Sequence, residues 1–266
     1  MNMIKNRIIR FNILCFCNIF LLLFFSSKII IGQQNISFWN PQMRLIADSS
    51  IFNNWIVIKN DVLINPDNIF NLYSESFGLG QNDRLIVNRI DSDEFGQSHY
   101  RYQQKYKGVL VEGAEYLVHS KNNSVKIING NIVNNLNINT STSITESSAL
   151  SAALNYVNAQ IYFWEDTTYE RILKQETLNQ DTTYFPKGEI VITRIYDNAE
   201  FLSQNFVLAY KFTISSIQPF DRKNIYINAH TGQFIKELPL LINCSQGTGS
   251  TLYNSKQYVN INTDYR

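Results

Sequence analysis

Two stretches of the chain alternate in the pattern of β-strands with one buried face. In residues 99–106 one face carries Tyr100, Tyr102, Gln104 and Tyr106, and the other carries His99, Arg101, Gln103 and Lys105. In residues 206–214 the buried face consists of large apolar and aromatic side chains: Phe206, Leu208, Tyr210, Phe212 and Ile214. Because Gln104 shares its face with three tyrosines, we expect it to be half-buried and to find hydrogen-bond partners there.

A helix followed by an antiparallel meander is predicted between residues 65 and 133. The sequence Asn65-Pro66-Asp67 is typical of a helix start, with Asn as the N-cap and Pro in the first turn. Gly78 is the expected C-cap of a helix whose apolar residues are Ile69, Phe70, Tyr73 and Phe77. Strand-like runs follow at 85–90, 99–106, 114–119 and 125–128, with a bend at Gly108 and a polar turn at 121–124. The pair Asn129-Gly130 predicts a further hairpin turn.

A second unit is predicted after the polar stretch 134–143, which we interpret as an interdomain linker. Residues 143–146 have capping-box spacing, with Ser143 as N-cap and Glu146 as its partner. The helix that follows has one apolar stripe, formed by Ala149, Leu150, Ala153, Leu154 and Val157. Strands are expected at 189–196, 206–214 and 224–228, with a turn at 229–232 and a return strand. The predicted fold class is therefore α+β: two small domains, each an antiparallel sheet with a packed helix.

The N-terminal segment has the layout of a secretory signal. Basic residues at positions 5, 7 and 10 precede an apolar run over 11–25, which is shorter than the roughly 20 residues of a membrane-spanning helix. We expect a signal peptide over residues 1–32 that is cleaved after Gly32, and hence a secreted, extracellular protein. An uncleaved membrane anchor is the alternative.

Composition and charge exclude several classes of protein. The 266 residues include 23 basic and 22 acidic ones, a net charge of +1 without a Lys/Arg cluster, which argues against a nucleic-acid binder. Without residues 1–32 the chain has 19 basic and 22 acidic residues, a net charge of −3. Two of the three cysteines lie in the predicted signal, so Cys244 would have no partner for an intrachain disulfide.

The sequence contains no recognisable catalytic motif. A catalytic zinc helix places two histidines four residues apart, whereas the spacings here are 20 and 111 residues, between His99, His119 and His230. We expect His119 at a solvent-exposed strand edge and His230 in an exposed turn. Neither forms a dyad with its neighbour in sequence, because adjacent strand residues point to opposite faces. An acidic turn without the rest of a calcium loop is expected to be solvated: Asp91, Asp93 and Glu94.

Three motifs resemble one protein family, in the family's order. Residues 99–113, His-Tyr-Arg-Tyr-Gln-Gln-Lys-Tyr-Lys-Gly-Val-Leu-Val-Glu-Gly, resemble the signature of the fungalysin/thermolysin propeptide domain. The adjoining PepSY domain of that family is resembled by three segments: the helix with the apolar stripe at 149–157, Leu-Ala-Tyr-Lys at 208–211, and Ile-Asn-Ala-His-Thr-Gly at 227–232. In the family the last motif usually has an acid where this chain has Asn228. Residues 247–257, Gly-Thr-Gly-Ser-Thr-Leu-Tyr-Asn-Ser-Lys-Gln, are similar to the opening hairpin of thermolysin-like metallopeptidases. The resemblance covers about residues 50–266.

The predicted signal and the resemblance together imply four segments. They are a signal peptide over 1–32, a propeptide-like domain over 33–138, a PepSY-like domain over 139–238, and a processing junction with the first residues of a catalytic domain over 239–266. The implied structural residues of the propeptide motif are Tyr100, Tyr102, Gln104, Gly108 and Gly113. Those of the PepSY motif are Tyr210, Ala229 and Gly232.

A processing segment is expected at residues 238–247. Pro239 has no amide hydrogen for a sheet ladder and residues 245–247 are turn-like, so the segment should be exposed. Enzymes of the resembled family cut on the N-terminal side of apolar side chains. The candidate residues are Leu240, Leu241, Ile242, Ser245 and Gly247. The alternative is that the apolar triplet packs against the sheet as one more strand.

The function implied is that of the propeptide of a secreted zinc metalloendopeptidase, which assists folding of the protease and inhibits it, without being catalytic itself. The family's His-Glu-x-x-His helix would lie beyond residue 266, so we expect no cofactor in this chain and zinc and calcium in the catalytic domain. The expected partner is that catalytic domain in cis, with no nucleic acid and no stable membrane anchor. The alternative is a stand-alone secreted module that binds proteins or inhibits proteases.

Overall fold

The computed structural model describes residues 41–52, 55–196, 198, 200–241, 244–250 and 256–262. All of these residues fall in the unit Ser37–Arg266. The signal peptide predicted at 1–32 lies outside the described residues. Within the described part of the chain, no helix has the length and apolar character needed to cross a membrane.

Most of the described strands join into one large, mainly antiparallel sheet. Its strands are β1 (Ala47–Phe52), β2 (Trp55–Ile58), β3 (Asp83–Ser92), β4 (Gln97–Tyr106), β5 (Val109–Lys121), β6 (Ser124–Asn131), β7 (Ile161–Tyr162), β8 (Glu189–Arg194), β9 (Phe206–Gln218), β10 (Asp221–Asn228) and β11 (Phe234–Pro239). A separate antiparallel hairpin contains β12 (Cys244–Ser250) and β13 (Lys256–Asn262). The helices are α1 (Met43–Ile46), α2 (Ile69–Leu72), α3 (Glu146–Val157) and α4 (Thr167–Thr177). This content confirms the predicted α+β class.

Strand β5 connects the two halves of the large sheet. The sheet order is β1-β2-β6-β5-β8-β9-β10-β11; β4 pairs with β3 and β5, and β7 pairs with β9. The junction between β5 and β8 is parallel and consists of two residue pairs, Leu110 with Val191 and Val111 with Ile192. The sheet therefore continues from the strands of the first predicted domain into those of the second.

Among the described residues two large hydrophobic cores lie along this sheet, beside a smaller cluster around Tyr226, and β5 contributes to both large cores. The N-terminal core includes Met43, Ile46, Ile56, Ile69, Phe70, Phe77, Tyr102, Tyr116, Val118 and Ile128. The C-terminal core includes Val111, Ala114, Val133, Ala149, Ala153, Ile192, Phe206, Leu208, Phe212, Ile214 and Ile225. The predicted faces are confirmed in both halves. On β4, Tyr102, Gln104 and Tyr106 are buried, and on β9 the buried positions include all five predicted residues.

The predicted first helix is shorter than its apolar spacing indicates. Its start is confirmed, because the Asn65 side chain accepts a hydrogen bond from the Asp67 amide at 2.8 Å. The chain forms a 3₁₀ turn, Pro66–Asn68, and then α2, which ends at Leu72. Turns follow as far as Gly78, where φ is +67°. Gly78 therefore turns the chain, but it is not the C-cap of a long helix.

The hairpin predicted at Asn129-Gly130 is wrong, because β6 continues through both residues. Gly130 has φ of +135°, and a Cβ there would collide with the Glu115 carbonyl oxygen on β5. The glycine is thus required by close approach of two backbones rather than by a turn. The real turn is Asn122-Asn123, with φ of 50° and 57°, in the polar turn expected at 121–124.

The capping box predicted for the long helix is also wrong. Helix α3 begins at Glu146, and its N-cap is Thr145, whose hydroxyl accepts from the Ser148 amide at 3.2 Å. Glu146 accepts a hydrogen bond from the Gly188 amide at 2.7 Å instead of closing a capping box. Residues 143–144 are held outside the helix, since both amides donate to the Ala229 carbonyl. The apolar stripe is confirmed, with Ala149 and Ala153 fully buried.

Candidate functional site

Gln104 is the centre of a buried polar network. Its Nε2 donates to Asp83 Oδ1 and to the Val133 carbonyl, both at 2.9 Å, and its Oε1 accepts from the Val133 amide at 2.8 Å. Asp83 in turn accepts the Gly80 amide through Oδ2 at 2.9 Å. The Gln104 side chain therefore gives Val133, which lies outside any strand, the two bonds that a neighbouring strand would give. Gln104 is fully buried, more so than the half-burial expected.

The tyrosines of the propeptide motif pack towards the N-terminal core. The Tyr102 hydroxyl donates to the Pro66 carbonyl at 2.7 Å, and its ring contacts Phe70 with centroids 4.8 Å apart. Burial, with a smaller contribution from the Asp67 charge, raises the pKa of Tyr102 to about 12. Burial and then Asp67 also raise the pKa of Tyr100. Burial thus favours the neutral form of both phenols, and Tyr102 anchors the 3₁₀ turn to the sheet.

Two glycines of the motif occupy positions with positive φ. Lys107 and Gly108, with φ of 47° and 84°, form the two-residue turn between β4 and β5. Gly113 has φ of +74° near the register shift in the β4–β5 pairing. A side chain would be strained at either glycine. Gly108 therefore sets the turn, and Gly113 allows β5 to change register.

The residues of the PepSY motif meet around residues 143–144. The Tyr210 hydroxyl donates to the Ile144 carbonyl at 3.1 Å, and the Ala229 carbonyl accepts the Ser143 and Ile144 amides at 2.9 and 3.2 Å. Gly232 has φ of +74°, and its amide donates to the Asn228 carbonyl at 2.9 Å. Together these contacts fasten the segment before α3 to the turn between β10 and β11.

Asn228 accepts hydrogen bonds from two backbone amides of the turn, a role that a carboxylate at the same position could also fill. Its Oδ1 accepts the amides of His230 and Thr231 at 2.9 and 3.0 Å. Both bonds need only an acceptor oxygen, which Asn and Asp both supply. The departure from the family pattern noted in the sequence therefore leaves the turn intact.

His99 and His119 lie opposite each other on β4 and β5, on the sheet face away from the N-terminal core. Their Nδ1 atoms are 2.7 Å apart. His119 Nε2 is also 2.7 Å from Asn129 Oδ1, and Trp55 stacks on the ring of His119. The expectation that His119 is a solvent-exposed edge residue is wrong, because it is half-buried among these three side chains. Sequence spacing could not show this, since the hairpin brings together residues 20 positions apart.

The acidic turn is engaged in local contacts. Asp91 forms an ion pair with Arg89 at 2.8 Å, and Asp93 Oδ1 accepts the amides of Phe95 and Gln97, both at 2.9 Å.

The third histidine, His230, lies in the turn between β10 and β11, where its Nδ1 is 3.1 Å from Ser143 Oγ. Among the residues the structure describes, no three His, Cys, Asp or Glu side chains converge on a point where a metal could bind.

The predicted processing segment lies between β11 and β12. Strand β11 extends to Pro239, and Leu238 packs against the small apolar cluster around Tyr226. Beyond it, the side chains of Leu240 and Leu241 are 42% and 39% exposed. The turn expected at 245–247 is wrong, because both Ser245 and Gly247 lie in β12; Ile242 lies outside the described residues.

Sequence reasoning did not identify the partners of the motif residues. Asp83 is the clearest case, although an acid two residues before the apolar run 85–90 is a weak signal for it. The Pro66 and Val133 groups that bind Tyr102 and Gln104 are backbone atoms, which any residue type could supply.

Comparison with known proteins finds similarity to one family of propeptides. Residues 83–132 match the model of the Fungalysin/Thermolysin Propeptide Motif, a span that includes the β4–β5 hairpin and Gln104. The chain is 26% identical over 185 residues to Bacillolysin of Bacillus amyloliquefaciens. The aligned region covers 68% of this chain and 32% of the relative. The chain thus spans about a third of the length of that curated relative.

A solved structure, the YpeB C-terminal domain of Bacillus megaterium, aligns with 71% of this chain and 72% of its own. The TM-score is 0.32 and the sequence identity is 14%, a similarity too low to support an argument about function.

Proposed function

We propose that this chain, which contains a propeptide region of the thermolysin family at residues 83–132, is the prosegment of a secreted zinc metalloendopeptidase precursor. In this proposal it assists folding of the protease in cis and inhibits it until the junction is cut. The observation that carries the proposal is the Gln104 network. The polar residue at the centre of the matched motif is fully buried and holds the scaffold together.

The second half of the sheet extends this scaffold as a PepSY-like domain over residues 139–238. Its support is the convergence of Tyr210 and Ala229 on residues 143–144, next to the turn at Gly232. The catalytic zinc and the structural calcium belong to the catalytic domain in this proposal, and the prosegment takes part in no bond-breaking step.

The processing junction lies at residues 238–247. Its support is the exposure of Leu240 and Leu241 directly after the end of β11, where a protease could reach an apolar side chain. The alternative is that the triplet packs as one more strand. The bond from the Leu240 amide to the Arg222 carbonyl favours this alternative, whereas the exposure of Leu240 counts against it.

The test uses the full-length precursor encoded by the gene, with the frame read past codon 266 for a His-Glu-x-x-His motif. Limited digestion followed by N-terminal sequencing of the released enzyme should place the mature N-terminus within residues 238–247. The double variant Leu240→Asp/Leu241→Asp should slow this cleavage. The matched control is Leu178→Asp, because Leu178 is 91% exposed and lies elsewhere in the chain.

Three results would contradict the proposal. A mature N-terminus upstream of Phe234 or downstream of Tyr253 would contradict the junction. A stop codon after residue 266, with inhibition of added proteases by the isolated chain, would favour the stand-alone inhibitor instead. Chelator-sensitive cleavage of casein by the isolated chain would contradict its non-catalytic role.

A further inference from the structure

Three adjacent strands bring Asp91, His99 and His119 into register. In the pairing of β3, β4 and β5, Asp91 is opposite His99, and His99 is opposite His119. Side chains directly opposite one another in antiparallel strands have Cβ atoms about 4.5–5.5 Å apart. The sheet thus places one carboxylate and two imidazoles in a row.

The hydrogen bonds around His119 determine which of its ring nitrogens carries a hydrogen. Asn129 Oδ1 can only accept, so at 2.7 Å it receives a hydrogen from Nε2 of His119. In the neutral ring Nδ1 is then a bare lone pair, and it points at Nδ1 of His99, 2.7 Å away. Stacking on Trp55, with ring centroids 5.9 Å apart and planes 8° apart, holds the imidazole in this orientation.

This is the arrangement in which proteins present histidine to a metal. A ligating imidazole usually donates its second ring N–H to an oxygen, which fixes the tautomer and aims the free nitrogen at the ion. Asn129 supplies that oxygen here. The hydrogen between the two Nδ1 atoms occupies the position that a cation with a preference for imidazole would take.

We propose that His99 and His119 bind one divalent transition-metal ion, with Zn²⁺ as the representative, through their two Nδ1 atoms. On binding, the hydrogen shared by the pair moves to Nε2 of His99 through solvent, so both rings stay neutral. Zn–N bonds of about 2.0–2.1 Å require the two nitrogens to separate by several tenths of an ångström. A small rotation of His99 supplies this movement, since His119 is the ring held by Asn129 and Trp55.

Asp91 is available as a third ligand. As the structure stands, it does not converge with the histidines and pairs with Arg89; the two side chains are 52% and 69% exposed. Such an exposed pair contributes little, so its replacement by a bond to the ion costs little. Other charges on this face include Lys105 on β4, Lys121 on β5 and Arg101, which Glu115 neutralises at 2.6 Å. Water would complete the coordination.

The test is a calorimetric titration of the full chain with Zn²⁺ at pH 8, without a polyhistidine tag and with Cys15, Cys17 and Cys244 replaced by Ser to remove all three thiols. One equivalent should bind. His99→Gln and His119→Gln should each weaken binding more than tenfold, and Asn129→Ala should weaken it by about 10–100-fold, as expected for an orienting residue. Asp91→Asn should have a smaller effect, and the matched control His230→Gln should have none.

Nitrogen NMR of the unsubstituted chain keeps the proposal testable if a histidine variant fails to fold. Zn²⁺ should shift the Nδ1 resonances of two rings and leave the third histidine unchanged. No binding at pH 8, shifts at Nε2, or equal loss with His230→Gln would overturn the proposal and leave a hydrogen-bonded pair only. None of these readouts depends on protease activity, so failure here is distinguishable from failure of the prosegment proposal.

Discussion

The two halves of the sheet hold their loops by different means. In the half built on β3–β6, a buried amide and a buried carboxylate, Gln104 and Asp83, bind backbone groups of segments that lie outside the sheet. In the half built on β8–β11, the small residues Ala149 and Ala153 of helix α3 pack into the C-terminal core together with the apolar residues of β9. The first half thus positions its connections by a buried side-chain network. The second half holds residues 143–144 by hydrogen bonds to Tyr210 and Ala229 and fixes the helix that follows by apolar packing.

The difference shows what each half requires of its sequence. A hydrogen-bonded network tolerates few substitutions, because a buried donor or acceptor that loses its partner keeps the full desolvation cost. The stability of an apolar core depends mainly on side-chain volume, because a closely packed core has no space for a larger side chain and a smaller one leaves a cavity. The following substitutions separate these two responses.

The largest expected effect is the loss of volume in the C-terminal core. Phe212 is fully buried on β9, so Phe212→Ala should lower the free energy of unfolding by about 3–5 kcal/mol. Denaturant melts would compare this loss with the effect of Phe220→Ala. Because Phe220 is 64% exposed, its replacement should change the free energy of unfolding little. Equal effects at both positions would contradict the assignment of the core.

A second effect comes from alkaline pH and belongs to the N-terminal half. The pKa of Tyr102 is raised to about 12, above the value of 10.0 for a free tyrosine. Between pH 10 and 12 the unfolded chain therefore releases this proton before the folded one, so stability falls as pH rises. The loss over this range should be about 2–3 kcal/mol. Melts from pH 9 to 12 should show a smaller fall for Tyr102→Phe; an identical fall would contradict the burial of the phenol.

The smallest of the three effects tests the Gln104 network itself. Gln104→Leu keeps most of the volume but leaves Asp83 and the Val133 backbone without this partner, which should cost about 1–3 kcal/mol. Its control is Gln81→Leu, at an exposed position. A neutral result for Gln104→Leu would mean that the two halves do not differ in the way described.

The strand pattern could be predicted where burial alone determines it. The alternation in β4 and β9 gave the correct buried faces because side chains on a strand point alternately to its two sides. The Asn65 cap and the turn at 121–124 were also predictable, because they depend on neighbouring residues only.

What could not be predicted depends on contacts between distant residues. Gly130 has a turn-like neighbour in Asn129, yet the approach of β5 decides its conformation. Thr145 rather than Ser143 caps α3 because the Ala229 carbonyl takes the amides at 143–144. The pairing of His99 with His119 follows from the register of a hairpin with a bulge, and the alternation within one strand does not show where the bulge lies.

The division of β5 between two cores has a consequence for the time course of synthesis. Its later residues Tyr116 and Val118 join a core made almost entirely of earlier parts of the chain, whereas Val111 pairs with Ile192, about 80 residues further on. At about 5–20 residues per second, the ribosome needs roughly 4–16 s to supply that partner. If the N-terminal core forms as soon as its own residues are available, residues 109–111 stay without their pairing partner during this interval, and we expect a chaperone that binds apolar strands to bind there.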